Sequence, residues 1–235
     1  MTLRIFQKGF NFRQDGPGNR LVYHLQGCNL HCPWCSNPEG LPSGGGAEVE
    51  VGKLVAECER SRKMMFGGGG VTFTGGEATV QAAALLETLK ALRLRGISTA
   101  VETNGTSPHL PEIAAETDYL IMDFKHVDGR RFADCCGGGF ATLTANYERL
   151  AGSRGQLHVR VPLVNGFNAD DAEAFADYFA ARPHENVVYE FLKYHELGKS
   201  KWKTPYAVTN GFVSDEQHAQ FVRAFGSRDL KVIST

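Results

Sequence analysis

Charge of one sign is what this chain lacks most clearly: Lys and Arg total 25 against 26 Asp and Glu, a net of −1. That balance leaves no basic footprint for nucleic acid and no pull toward an anionic membrane. Apolar runs are short, and none approaches the roughly 20 residues of a membrane span, so no membrane partner is expected. The start, Met1-Thr2-Leu3-Arg4-Ile5-Phe6-Gln7-Lys8, lacks the apolar region of a signal peptide. Cysteine is too sparse for a secreted disulfide scaffold, six in 235 residues. These absences together predict a cytoplasmic, reducing location, where thiolates persist. Linkers and sequence repeats are also missing. With 42% hydrophobic and 22% charged residues the mix is ordinary for a globular protein, and one domain over residues 1–235 is expected.

What the chain does have is Gly27-Cys28-Asn29-Leu30-His31-Cys32-Pro33-Trp34-Cys35. This C-x3-C-x2-C run supplies three thiolates, not four. A four-iron cluster with four cysteine ligands is closed and suits electron transfer. With three, one iron keeps an open position where a substrate can coordinate. Zinc sites usually show paired C-x2-C knuckles or added histidines, and no second pair follows. His31 is too close in sequence to complete a usual Cys2His2 pattern. As a bare pattern the run admits an iron–sulfur cluster, zinc or chance.

Strand-like and helix-like runs alternate along the chain. Strands are expected at residues 21–25, 71–74, 99–102, 119–123, 157–161 and 187–192, short apolar or β-branched runs bounded by Gly, Asn and Pro. Ala82, Leu85, Leu86, Leu89 and Leu92 form one helical stripe. Ala172, Phe175, Ala176 and Phe179 form another, with Asn168 as the expected N-cap and Asp170 and Asp171 in the first turn. Ser214 and Gln217 read as a capping box. Gly40 to Gly46 and Gly137 to Gly139 read as loops, and Gly67 to Gly70 as a tight turn. Repeated β-α units imply right-handed crossovers and an α/β fold. About six units predict a partial (β/α)6 TIM-like barrel, smaller than the eight-unit form.

The polar features fall at one end of these strands. Cys28 follows the first, Gly75-Gly76-Glu77 the second, and Glu102-Thr103-Asn104-Gly105 ends the third. Asp123 and Lys125 end the fourth, Arg160 lies on the fifth and His195 follows the sixth. In α/β folds of this kind, function gathers at the carboxyl ends of strands.

The ordered set resembles the glycyl-radical-enzyme activating enzymes of the radical S-adenosylmethionine (radical SAM) superfamily. Asp15-Gly16-Pro17-Gly18-Asn19-Arg20 resembles the loop before their first strand, Gly27 to Cys35 their cluster loop, and Gly75-Gly76-Glu77-Ala78 their GGE element. Glu102 to Gly105 resembles a D-T-N/S-G turn, Asp123-Phe124-Lys125 a D-x-K strand end, and Tyr194-His195-Glu196-Leu197-Gly198-Lys199 a Y-H-x-L-G-K segment.

The resemblance implies a single [4Fe–4S] cluster on Cys28, Cys32 and Cys35, its open iron chelating the methionine end of S-adenosylmethionine. Reductive cleavage would yield methionine and a 5′-deoxyadenosyl radical; the cofactor carries this chemistry and the protein positions it. The radical would abstract a hydrogen from a backbone glycine of a partner glycyl radical enzyme of the pyruvate formate-lyase type. Reduced flavodoxin or ferredoxin is implied as electron donor, and anaerobic operation follows from the accessible iron. Gly75 and Gly76 would let backbone approach the ligand without a Cβ clash, and Glu77 with nearby carbonyls would meet the methionine ammonium, unless the segment is an ordinary β-α turn. Trp34 would pack on adenine or in the core. Asn37 would bond the nucleoside or cap a loop. Glu102, Asp123, Lys125 and His195 would surround the ligand's polar end, His195 as a ligand or as a structural histidine. Glu102 replaces the family's Asp, which helps hold a monovalent cation, so Asp123 is the better cation ligand here. Lys125 and Arg160 would balance the methionine carboxylate, or form buried strand-end ion pairs.

Cys58, Cys135 and Cys136 are expected to be buried or incidental thiols. Residues 36–70 hold no cysteine but Cys58, so a ferredoxin-like insert with a second cluster is not expected. Trp202, with Lys199, Lys201 and Lys203, reads as a solvated loop or the edge of a partner surface. Two competing functions stand beside the activase: a radical SAM enzyme modifying a small molecule, and a non-catalytic iron–sulfur or zinc module.

Overall fold

The computed structural model describes residues 1–153 and 155–233. The fold is α/β, with paired strands mostly parallel. The chain divides into two compact units, Met1–Asn29 with Asn37–Thr103 and Ser107–Ile121, and Leu30–Ser36 with Asn104–Thr106 and Met122–Thr235.

In the first unit, β1 (Thr2–Phe12), β2 (Asn19–Leu25), β3 (Ala47–Glu50), β4 (Gly70–Gly75) and β5 (Thr99–Thr103) run in the order β3-β1-β2-β4-β5. β2, β4 and β5 pair in parallel, with Arg20 opposite Gly70 and Leu25 opposite Gly75. Their interiors are buried on both faces, which is why they read as continuous apolar runs. β1 is antiparallel to both neighbours and buries only Leu3 and Ile5. Helix α1 (Val51–Arg60) turns Val51, Leu54, Val55 and Cys58 inward at helical spacing, and α2 (Ala82–Arg93) buries Leu85, Leu89 and Leu92. A short α3 (Leu110–Ala115) leads to β6 (Tyr119–Asp123), which begins in this unit and ends in the second.

The Asp15–Arg20 loop is locked by a buried guanidinium. Arg20 Nε donates to Thr72 Oγ1 at 2.7 Å and Nη2 to the Val71 carbonyl at 2.8 Å, while Thr72 Oγ1 donates to the Asp15 carbonyl at 2.7 Å. Burial lowers the Arg20 pKa to about 10, so it stays cationic at neutral pH. Gly18 has φ +71°, and a Cβ there would lie 2.3 Å from the Gly69 nitrogen; here the glycine is required.

The second unit holds α4 (Gly129–Cys136), α5 (Phe140–Ala151), β7 (Leu157–Leu163), α6 (Ala172–Ala180), β8 (Val187–Lys193) and α7 (Asp215–Gly226). β7 and β8 are parallel, Leu157 opposite Val187 and Leu163 opposite Lys193. Its core is aromatic: Phe124 and Phe179 meet edge to face at 5.0 Å, and Tyr189 and Phe225 at 5.0 Å. The Ser214–Gln217 capping box forms as expected.

The Asn168 expectation is corrected. Helix α6 starts three residues later than that cap implies, with Asp171 at the N-cap. Asn168 is fully buried; its Oδ1 accepts from Val164 N at 2.8 Å, and its Nδ2 donates to the carbonyls of Lys125 and Pro162 at 2.9 and 2.8 Å. A buried amide fixes loop backbone rather than a helix end.

Candidate active site

In the first unit the turn after β4 is tied to the start of the cysteine run. Gly76 N donates to the Leu25 carbonyl at 2.9 Å and Glu77 N to the Gly27 carbonyl at 2.8 Å. Gly27 N in turn donates to the Gly40 carbonyl at 2.8 Å, and Cys28 N to that of Leu41 at 3.2 Å. The entry to the cysteine run is therefore stitched to the Gly75-Gly76-Glu77 turn. A Cβ on Gly76 would stand 2.3 Å from the Gly27 oxygen and 2.4 Å from the Gly40 oxygen. Gly76→Ala is expected to cost about 2–3 kcal/mol through this backbone clash, measured by urea unfolding. A loss below about 0.5 kcal/mol, the size of a neutral surface change, would show that the loop yields freely.

Glu77 is buried, and its Oε1 accepts from Thr79 N at 3.0 Å and from Thr103 Oγ1 at 2.7 Å. It caps the 3-10 turn Ala78–Gln81 and ties it to the last residue of β5. Thr79 and Thr103 escaped the sequence reading; their signal was the hydroxyl positions flanking Glu77 and Glu102. Glu102 is half-buried beside Thr103. Asn37 is half-buried and opens the turn Pro38–Gly40, its carbonyl accepting from Gly40 N at 2.9 Å, with no side-chain cap bond.

In the second unit Cys32 and Cys35 close a turn, Cys35 N donating to the Cys32 carbonyl at 3.1 Å. Trp34 packs on Phe167, ring centroids 4.6 Å apart. Lys199, Lys201 and Lys203 are exposed, as a solvated loop would have them, but Trp202 between them is sheltered. It is half-buried, and its Nε1 donates to the Cys35 carbonyl at 3.0 Å, because a sheltered indole N–H needs an acceptor. A Cβ on Gly198 would come 2.4 Å from Ser36 Cα, so the Tyr194–Lys199 segment lies directly against the cysteine loop. His195 itself is exposed, its Nδ1 accepting a long 3.4 Å bond from Leu197 N.

Two ion pairs sit at strand positions read from the sequence. Lys125, buried, donates from Nζ to Asp123 Oδ2 at 2.9 Å. Burial, the largest single effect, opposes the Lys125 charge, but Asp123 together with the thiols of Cys32 and Cys136 holds the pKa above the ordinary lysine value. Arg160 Nε donates to Glu190 Oε2 at 2.7 Å, the two residues 8% and 2% exposed. His158 Nε2 lies 2.9 Å from the same oxygen but is not aligned for a hydrogen bond. Glu190 was invisible in the apolar run of β8.

Cys136 is fully buried, as expected, and its carbonyl accepts from His31 N at 2.9 Å. The neighbouring Cys136 thiol holds Cys32 below its ordinary pKa against the cost of burial, helped by the Lys125 charge. Cys136 is pushed up correspondingly by Cys135 and Cys32. Cys58 fits the expectation of a buried thiol: burial raises its pKa to about 11.

Residues 22–179 match the radical SAM superfamily. The pyruvate formate-lyase 1-activating enzyme of Escherichia coli (strain K12) is 34% identical over 194 residues, 80% of this chain and 79% of that protein. The chain belongs to the radical SAM superfamily. A solved domain of a pyruvate-formate lyase-activating enzyme from Bacteroides vulgatus aligns with a TM-score of 0.58 at 27% identity, covering 71% of this chain and 99% of that one. A radical SAM methyltransferase from Sphaerobacter thermophilus shares the fold alone, with a TM-score of 0.69 at 16% identity over 96% of this chain and 68% of that one.

Membership implies a [4Fe–4S] cluster and S-adenosylmethionine. Among the described residues no group of three or more His, Cys, Asp and Glu side chains is gathered to hold a metal ion, so fit rests on the chemistry of the donors. Cys28, Cys32 and Cys35 are in no disulfide, and Cys32 is held below the ordinary thiol pKa, in the direction of the thiolate that a ligand must be. The donor set fits the cluster.

Proposed function

We propose that this chain is a glycyl-radical-enzyme activating enzyme, a single radical SAM domain over residues 1–235 without a ferredoxin-like insert. It would take a backbone glycine of a pyruvate formate-lyase-like partner as its substrate. The observation that carries this reading is the 34% identity to a pyruvate formate-lyase 1-activating enzyme across 80% of this chain and 79% of that protein. When bound, the cluster and S-adenosylmethionine supply one-electron reductive cleavage of a carbon–sulfur bond.

The chain's own residues do the rest. Cys28, Cys32 and Cys35 hold the cluster. Gly75 and Gly76 present backbone to the methionine end, and Glu77, which braces that turn, meets the methionine ammonium with nearby carbonyls. Asp123 and Glu102 supply oxygens for a monovalent cation; Lys125, Arg160 and His195 offset the carboxylate. Trp34 and Asn37 face the nucleoside. Reduced flavodoxin or ferredoxin is the electron donor in an anaerobic cytoplasm.

The test is anaerobic: reconstituted, reduced protein is mixed with S-adenosylmethionine and a pyruvate formate-lyase whose radical glycine carries deuterium. A glycyl radical signal by electron paramagnetic resonance, with deuterium in the released 5′-deoxyadenosine, is the expected result. Steady cleavage without deuterium transfer from any glycyl radical enzyme would favour small-molecule chemistry instead. A cluster-free, zinc-loaded protein would leave the non-catalytic module.

A further inference from the structure

We infer that Glu190 is a positioning residue for the cofactor, holding the Arg160 guanidinium in the plane in which it grips the methionine carboxylate of S-adenosylmethionine. This rests on the proposed pairing of Arg160 with that carboxylate. Glu190 itself lies outside every motif read from the sequence.

The strands of the second unit have two unlike faces. Phe124, just past β6, packs on Phe179, and Tyr189 of β8 packs on Phe179 and Phe225, so α6 and α7 cover that face. Side chains alternate along a strand. Asp123 and Lys125, on either side of Phe124, and Glu190, next to Tyr189, therefore turn to the opposite face. Arg160 joins them: it stands opposite Glu190 in the β7–β8 register, and its carbonyl accepts from Phe124 N at 2.7 Å. Lys125, Arg160 and Glu190 are all buried there. A packed core takes apolar side chains. A sheltered face with two cations and two carboxylates suits a ligand that carries charges of both signs, as the methionine end does.

On that face the Arg160–Glu190 bond is directional. Arg160 Nε donates to Glu190 Oε2 at 2.7 Å. A guanidinium is a rigid planar fork, so fixing Nε fixes the direction of the Nη donors. Bidentate recognition of a carboxylate depends on that direction. His158 Nε2 lies 2.9 Å from the same oxygen without being aligned to it, so the oxygen is aimed at the guanidinium and not at the imidazole.

The experiment measures S-adenosylmethionine affinity by equilibrium dialysis against cluster-loaded, unreduced protein, where no cleavage intervenes. Iron content and the urea midpoint check folding. E190D keeps the charge but draws the acceptor back by a methylene; E190Q loses the charge but keeps an acceptor in place. E190D is expected to bind about tenfold more weakly, and E190Q within about twofold of the wild type. A plain buried ion pair gives the reverse order, E190Q worse than E190D, and that order overturns the inference. So does wild-type affinity in E190D. An E190D protein that no longer loads its cluster also overturns it, since Glu190 would then be structural. The effect must pass through Arg160: in an R160K background, which has no fork to aim, adding E190D is expected to change affinity less than about twofold. A further tenfold loss there overturns the inference. The carboxylate reading is scored separately: wild-type affinity in R160M/E190L removes Arg160 from the cofactor site whatever E190D and E190Q do.

Discussion

C32A, reconstituted anaerobically, is expected to hold less than about a tenth of the wild-type iron and to cleave no S-adenosylmethionine above background. The same is expected of C28A and C35A. Three thiolates leave no redundancy: losing one opens a second iron to solvent and to oxidation. Cys32 is the buried one of the three. Cys58 is the control. Its thiol is buried, raised to about 11, and set beside Tyr23 Oη at 3.7 Å. C58A should therefore bind iron like the wild type. Iron analysis and product chromatography decide both; cleavage surviving in C28A, C32A and C35A would remove the cluster assignment.

Arg160→Met is expected to destabilise the protein by about 3–5 kcal/mol, the usual cost of removing one partner of a buried ion pair. Glu190 is 2% exposed, and Arg160 reaches it at 2.7 Å. His158 lies close but is misaligned, so it replaces the guanidinium poorly. The pairing also joins neighbouring strands, with Arg160 directly opposite Glu190 in the β7–β8 register. Urea unfolding of the cluster-free protein measures the change. The double variant R160M/E190L should recover much of the loss, because it replaces the whole buried pair with apolar side chains. A loss under about 1 kcal/mol for R160M, the value of an exposed pair, would mean that Glu190 is solvated or protonated when Arg160 is gone.

The strands β2, β4, β5, β6, β7 and β8 were legible because buried interiors write an apolar run into the sequence. β1 was not: of its residues only Leu3 and Ile5 are buried, and the rest of Thr2–Phe12 is polar or exposed, so no run appears. β3 is four residues with no buried position and left no pattern at all. Motifs of residues adjacent in sequence, such as the capping box at Ser214, carried their geometry with them. What stayed hidden were partners brought together by the fold. Glu190 was read only as part of a strand, until the fold set Arg160 opposite it. Asn168 has the chemistry of a cap, but its acceptors are the carbonyls of Lys125 and Pro162. Cys135 and Cys136 looked incidental because adjacent residues share a metal poorly, a reason that says nothing about a thiol elsewhere in the chain.

The clasp of Trp202 on the Cys35 carbonyl has an optical side. The chain contains two tryptophans: Trp34 lies inside the cysteine run, and Trp202 is hydrogen-bonded to it. All of the protein's indole emission therefore arises at a single loop, and a fluorimeter pointed at this molecule watches the cysteines rather than the fold.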